Sequence, residues 1–211
     1  MGRWQRVMMV GLLILGGLGS AAQGQQTGAV QEAPRIGTRL EASANAMSGV
    51  RNLDWDDLIP ADWLPEKLFE GLFDDDDPDA IGDADPRALE IMARIREVWD
   101  AAPVVEALDG VRVRIPGFVV PLEAEERAFS EFLLVPYFGA CIHVPPPPAN
   151  QILHVTSERP LEADQSMAPV WVLGTLRVAR LDTEMGRAGY RIEGARVEAY
   201  REEGERAGAM R

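Results

Sequence analysis

Two histidines and one cysteine are the chain's whole supply of imidazole and thiol groups, and all three fall between residues 141 and 154. Cys141 and His143 stand two apart, and His154 follows the proline run Pro145 to Pro148. A thiolate with two imidazoles matches zinc or copper, metals that take soft and borderline ligands. Zinc prefers four ligands, so a fourth would be water, a carboxylate or a partner's side chain. Three protein ligands with an open position suit transfer or catalysis better than a purely structural role. The Cys-x-His pair is half of the ligand pattern of a Rieske cluster, which needs a second such pair. The chain has no second Cys, which excludes that cluster within one chain. Cys141 as a nucleophile with His143 or His154 as base is the competing enzymatic reading. Residues two apart on one strand are seldom placed as nucleophile and base, and no oxyanion element can be named. The chain therefore reads as non-catalytic, with a thiol enzyme as the lesser alternative. A plainer alternative also stands: Cys buries readily among Phe138, Ala140 and Ile142, and the imidazoles can hydrogen-bond around a tight loop. Tyr137, Asn150 and Gln151 flank the block as binding or bracing groups, with turn chemistry as the plainer and favoured explanation of them.

These side chains need elements to hold them. Successive prolines donate no backbone hydrogen bond and favour an extended conformation, so 144–151 reads as a stiff loop between strands. A hairpin centred between Pro148 and Ala149 would set His143 directly opposite His154. Cys141 would then share the face of His143. Strand patterns surround this loop. Val111, Val113 and Ile115 alternate with Arg112 and Arg114, predicting one buried and one wet face. The strand resumes at Phe118–Leu122, and further runs cover 132–135, 152–156, 170–178 and 190–200. Gly174 and Gly194 inside the last two suggest bulges. Five short, bent strands in about 90 residues predict a mainly β fold: a small OB-like five-stranded barrel, with a small β-sandwich as the alternative.

The N-terminal half differs in character. Arg3 and Arg6, the apolar run 7–18 and the small residues 19–24 form the layout of a secretory signal peptide, 1–24. No Cys stands at its end to carry a lipid, and no later run approaches membrane-spanning length. The expected setting is the periplasm, with no membrane span after cleavage. There a lone thiol needs a partner or protection, and metal ligation is one form of protection. Residues 25–45 read as a flexible lead. The segment 46–109 reads as helical and acidic, packed on a β domain over 110–203, with a flexible tail at 204–211. Residues 51–109 hold 18 acidic and 5 basic side chains, which accounts for the chain's net charge of −13. That balance excludes a nucleic-acid partner, which needs a basic footprint. Asp75, Asp77 and Asp79 alternate, but Ala80 occupies the Gly position of a calcium loop and no Glu closes it, so a solvated linker is the reading. Pro86–Trp99 predicts a helix, capped by Asp85, whose stripe of Leu89, Met92, Ile95 and Trp99 would contact the core.

Several stretches also carry a family likeness. Ile115–Glu123, the run Phe132–Gln151 with its Cys-His-Pro block, Trp55–Pro60 and Trp171–Gly174 together resemble the bacterial domain-of-unknown-function family 3299. The likeness covers about residues 50–200, and the Cys-His-Pro block is its most specific part. The resemblance implies an exported protein with this thiol–imidazole block and accessory work beside envelope ABC transporters, some of them zinc-related. It implies no catalytic residue. Two non-catalytic expectations follow: a binding protein for zinc or copper at Cys141, His143 and His154, or a metal-free interaction module whose proline loop contacts an envelope transporter.

Overall fold

The computed structural model describes residues 34–40, 47–64, 86–123, 127–140 and 146–201. The expected signal peptide, the acidic run 74–85 and the tail 204–211 lie outside them. Alternating apolar residues build five long strands: β2 (Arg112–Pro121), β3 (Ala128–Val135), β4 (Leu153–Glu162), β5 (Pro169–Thr183) and β6 (Gly186–Ala199). A two-residue strand, β1 (Arg51–Asn52), and one helix, α1 (Pro86–Asp100), precede them.

The five long strands close a ring. One edge of β2 pairs antiparallel with β5, from Arg112↔Thr175 to Phe118↔Pro169. Its other edge pairs with β3, from Phe118↔Val135 to Pro121↔Phe132. β3 pairs antiparallel with β4, β4 parallel with β6, and β6 antiparallel with β5. The result is a closed, mixed, OB-like barrel rather than a sandwich. Its interior is filled by Val113, Ile115, Val119, Phe132, Leu134, Leu153, Val155, Val172, Tyr190 and Ile192, each fully buried. Small barrels are packed cores rather than pores, and burial of this apolar set is the main term that holds the ring shut.

A glycine bulge helps bend the sheet into that ring. Between Leu173↔Arg196 and Thr175↔Glu193, the single residue Gly174 of β5 faces Gly194 and Ala195 of β6, so the extra residue is on β6 and the bulge expected at Gly174 lies opposite it. A Cβ on Gly174 would lie 2.3 Å from Ile192 Cγ2. Gly194 has φ 61°, and the β4–β6 register shifts beside it, where Thr156↔Glu193 is followed by Ser157↔Ala195. Both shifts are one bulge at Gly194, which inserts one residue into β6 and sharpens the local twist.

The N-terminal segment completes the core. Leu53, Trp55 and Leu58 are fully buried in the interior cluster, with Leu108 beside them. β1 takes the β2 edge at Val113 and Arg114, while β3 takes the same edge from Phe118 onward. Between these pairings the Trp55 indole N–H donates to the Pro116 carbonyl at 2.7 Å. A buried carbonyl that no strand reaches is thereby satisfied.

Several expectations need correction. The strands run to 15 residues rather than being short, because β5 and β6 continue as one hairpin to Thr183↔Gly186. Arg114 is only 6% exposed, not wet: its guanidinium lies 3.8 Å over the Trp171 ring. The stem is buried against an aromatic face while the cation meets the ring's negative π surface. Helix α1 forms where expected but buries no residue, and Leu89 is 65% exposed. Its C-terminal end is tied down by Arg180, which donates to the carbonyls of Asp100 and Ala102 at 2.9 Å each. Finally, 34–40 is docked rather than a flexible lead. Arg39 bridges to Tyr137, and Gly37 and Phe138 join through backbone hydrogen bonds.

Candidate functional site

His154 is the second residue of β4, between two core side chains. Leu153 and Val155 point into the barrel, so His154 points to the outer face. It is 8% exposed. Its Cα partners are Leu133 on β3 and Arg191 on β6. The expected opposition of His143 and His154 is therefore wrong, because both flanks of His154 are occupied by other strands. The physical reason is competition: β3 pairs residue for residue with β4 through Leu134↔Leu153, and Ala149–Gln151 forms a 3-10 turn instead of a strand. Cys141 and His143 themselves lie outside the described residues.

The outer face beside His154 carries a second apolar cluster that includes Phe118, Leu133, Val135, Ala140 and Ile152. Ile152 lies two residues before His154. Ala140, the residue before Cys141, is 2% exposed within this cluster. Pro146 resumes the chain on the far side of the Cys-His stretch. A Cβ on Gly186 would lie 3.2 Å from Ile152 Cδ1 and 3.5 Å from Pro146 Cβ. Ala140 and Pro146 thus both belong to the surroundings of Ile152.

Electrostatics set the state of the imidazole. Burial lowers the His154 pKa below its ordinary value of 6.5; Glu131 opposes the shift and Arg191 adds to it. At neutral pH the ring is therefore uncharged, the form that offers a lone pair to a metal. Glu131 Oε2 stands 3.8 Å from His154 Nε2. That is too long for a charge-assisted hydrogen bond, which needs less than about 3 Å. On the other flank, Arg191 is ion-paired with Glu193.

The three flanking polar residues occupy different settings. The Gln151 amide donates to the Trp55 carbonyl at 2.9 Å and to the Asn150 carbonyl at 3.1 Å. The Asn150 amide donates to the Pro103 carbonyl at 2.9 Å, while its Oδ1 is buried without a hydrogen bond. Both side chains clamp the N-terminal segment to the barrel. Tyr137 is 36% exposed at the bridge to Arg39.

Tyr190 joins the clamp and was not singled out from the sequence. Its hydroxyl donates to the Leu58 carbonyl at 2.8 Å and accepts from the Val105 N–H at 2.6 Å. Glu131 was also missed, because the expected strand began at Phe132. Phe129 and Glu131, two apart, would share a face in an unbroken strand, but the register shift between them puts Phe129 in the core and Glu131 at the surface, so alternation did not extend the run.

Among the described residues, no group of three or more His, Cys, Asp or Glu side chains is arranged to hold a metal. No described helix is long and apolar enough to cross a membrane. A separate cleft of about 550 Å³ opens farther along β4, where β4 and β6 part after Ser157↔Ala195. Pro160 and the charges of Glu158, Arg159, Arg196 and Glu198 line it. Proline and charge on strand edges oppose the addition of another strand.

Comparison with curated proteins finds no match. Residues 55–199 match the family model described as a protein of unknown function, DUF3299. Among solved structures, the chain is similar to a DUF3299 family protein from Pseudomonas aeruginosa PAO1. The two are 39% identical, with 72% of this chain and 96% of that chain covered and a TM-score of 0.52. The matched span takes in the Trp55 anchor, the whole barrel and the Cys-His-Pro block, and on that extent the chain belongs to the DUF3299 family.

Proposed function

We propose that the protein is an exported, non-catalytic binding protein of the periplasm that holds zinc or copper through Cys141, His143 and His154. The observation that carries this reading is the setting of His154. It is a buried, uncharged imidazole on the outer face of a rigid strand, next to the cluster that holds Ala140, the chain neighbour of Cys141. In OB barrels the face of the second and third strands is the usual ligand surface, and β3 and β4 occupy those places here. Export rests on the layout of residues 1–24, and accessory work beside an envelope ABC transporter rests on the family resemblance. The alternative, a metal-free module using the proline block, is weakened by the burial of Pro147 and the half-burial of Pro146 and Pro148. Among the block's described prolines, Pro146 to Pro148, little surface is left for a partner.

Protein purified without a histidine tag and equilibrated with micromolar zinc or copper tests this reading. About one ion should remain per chain after desalting, and both Cys141→Ser and His154→Gln should lose it. Wild-type protein that retains neither metal would sink the proposal.

A further inference from the structure

The barrel places a carboxylate beside His154 that the Cys-His-Pro block does not supply. From this geometry, we infer that Glu131 is a ligand of the same metal ion, bound through Oε2 while His154 binds through Nε2. The inference rests on the metal-binding reading above. Glu131 pairs with Thr156 and Leu133 with His154, so Glu131 and His154 are diagonal neighbours on one face of adjacent strands. Their facing atoms are 3.8 Å apart. Two ligand atoms on one tetrahedral zinc, at bond lengths of about 2.1 Å, stand roughly 3.4 Å apart. The observed separation is thus too long for a hydrogen bond and close to the span across one ion. Arg191, on the other flank of His154, is already engaged by Glu193. A divalent cation between the two atoms satisfies both lone pairs. Glu131 keeps 62% of its side chain exposed, so it can close the short remaining distance without disturbing the core. It also answers the need for a fourth donor, which one thiolate and two imidazoles leave open.

Zinc affinity should be measured by competition with a chromophoric chelator for wild type, Glu131→Ala, Glu131→Gln and His154→Gln. Cobalt(II) absorption spectra of each variant report the coordination sphere. Loss of a group outside the coordination sphere weakens binding about 10- to 100-fold. Loss of a ligand should exceed that, so both Glu131 variants should weaken zinc by more than about 100-fold and change the cobalt spectrum. The metal-free Glu131 variants should melt like metal-free wild type, because Glu131 lies outside the core. Wild-type affinity and spectrum in Glu131→Ala, or full rescue by Glu131→Gln, overturns the assignment and leaves the proposed function standing. Failure of wild type to bind zinc, cobalt or copper overturns both.

Discussion

His154 couples the stability of the metal-free protein to pH. Its folded-state pKa lies below the ordinary 6.5, so between those values the unfolded chain holds more protons. Stability from this group is complete above about 6.5 and is lost as pH falls through the folded value. Urea unfolding at pH 8 and pH 5 should show a smaller difference in midpoint for His154→Gln than for wild type. An unchanged difference would mean that other groups set the acid response. The buried hydroxyl of Tyr190 allows a sharper test. Tyr190→Phe leaves the Val105 N–H and the Leu58 carbonyl without their partner, at a cost of ~1–3 kcal/mol in urea unfolding. Tyr190 was hard to recognise beforehand. A tyrosine in an apolar strand reads as core filling, and its two partners come from the N-terminal segment, far away in the chain.

The 3-10 turn Ala149–Gln151 is the element on which the site's support converges. Gly189 on β6 lets it approach: a Cβ there would stand 2.7 Å from the Ala149 carbonyl oxygen and 2.9 Å from Val104 Cγ1. Gly189→Ala must displace the turn, and the expected loss is ~1–3 kcal/mol, with weaker zinc binding if the turn holds the loop in place. Chemical denaturation and chelator competition measure the two effects. Helix α1 provides the contrast. Its stripe predicted a core contact, yet Leu89 is mostly exposed, so Leu89→Ser should change stability by no more than ~0.5 kcal/mol. A loss of several kcal/mol would show that this face is covered in solution. Periodicity identified the helix correctly because it is a local property. What the apolar face meets depends on the placement of other elements, which periodicity does not encode.

The N-terminal segment and the barrel share one core, because Leu53, Trp55 and Leu58 fill the same interior as Val113 and Tyr190. They should therefore unfold together. Far-UV and near-UV circular dichroism transitions should coincide, and separate transitions would show that the segment detaches first. Trp55→Ala should cost ~3–5 kcal/mol, since it removes a fully buried indole and orphans the Pro116 carbonyl. The acidity of 51–109 does not prevent this docking. Of the charged side chains in the docked turn, Asp54 and Asp56 are paired at the surface with Arg39.

The primary structure alone determined the strand runs, the bulge glycine Gly194 and the barrel class, while the bulge expected at Gly174 lies across from it on β6. Alternation and φ preference act over a few residues and are written directly in the chain. It also offered His154 as a candidate donor by residue type. Register was not legible. Whether His154 faces His143 or Leu133 is a contest between strands, won by the pairing that buries Leu134 and Leu153 together. The burial of Arg114 over Trp171, the clamp of Gln151 and Tyr190, and the approach of Glu131 to His154 all join residues distant in sequence. Such contacts exist only once the ring has closed, because closure brings β2 against β5 and β3 against β4 and so decides which side chains become neighbours.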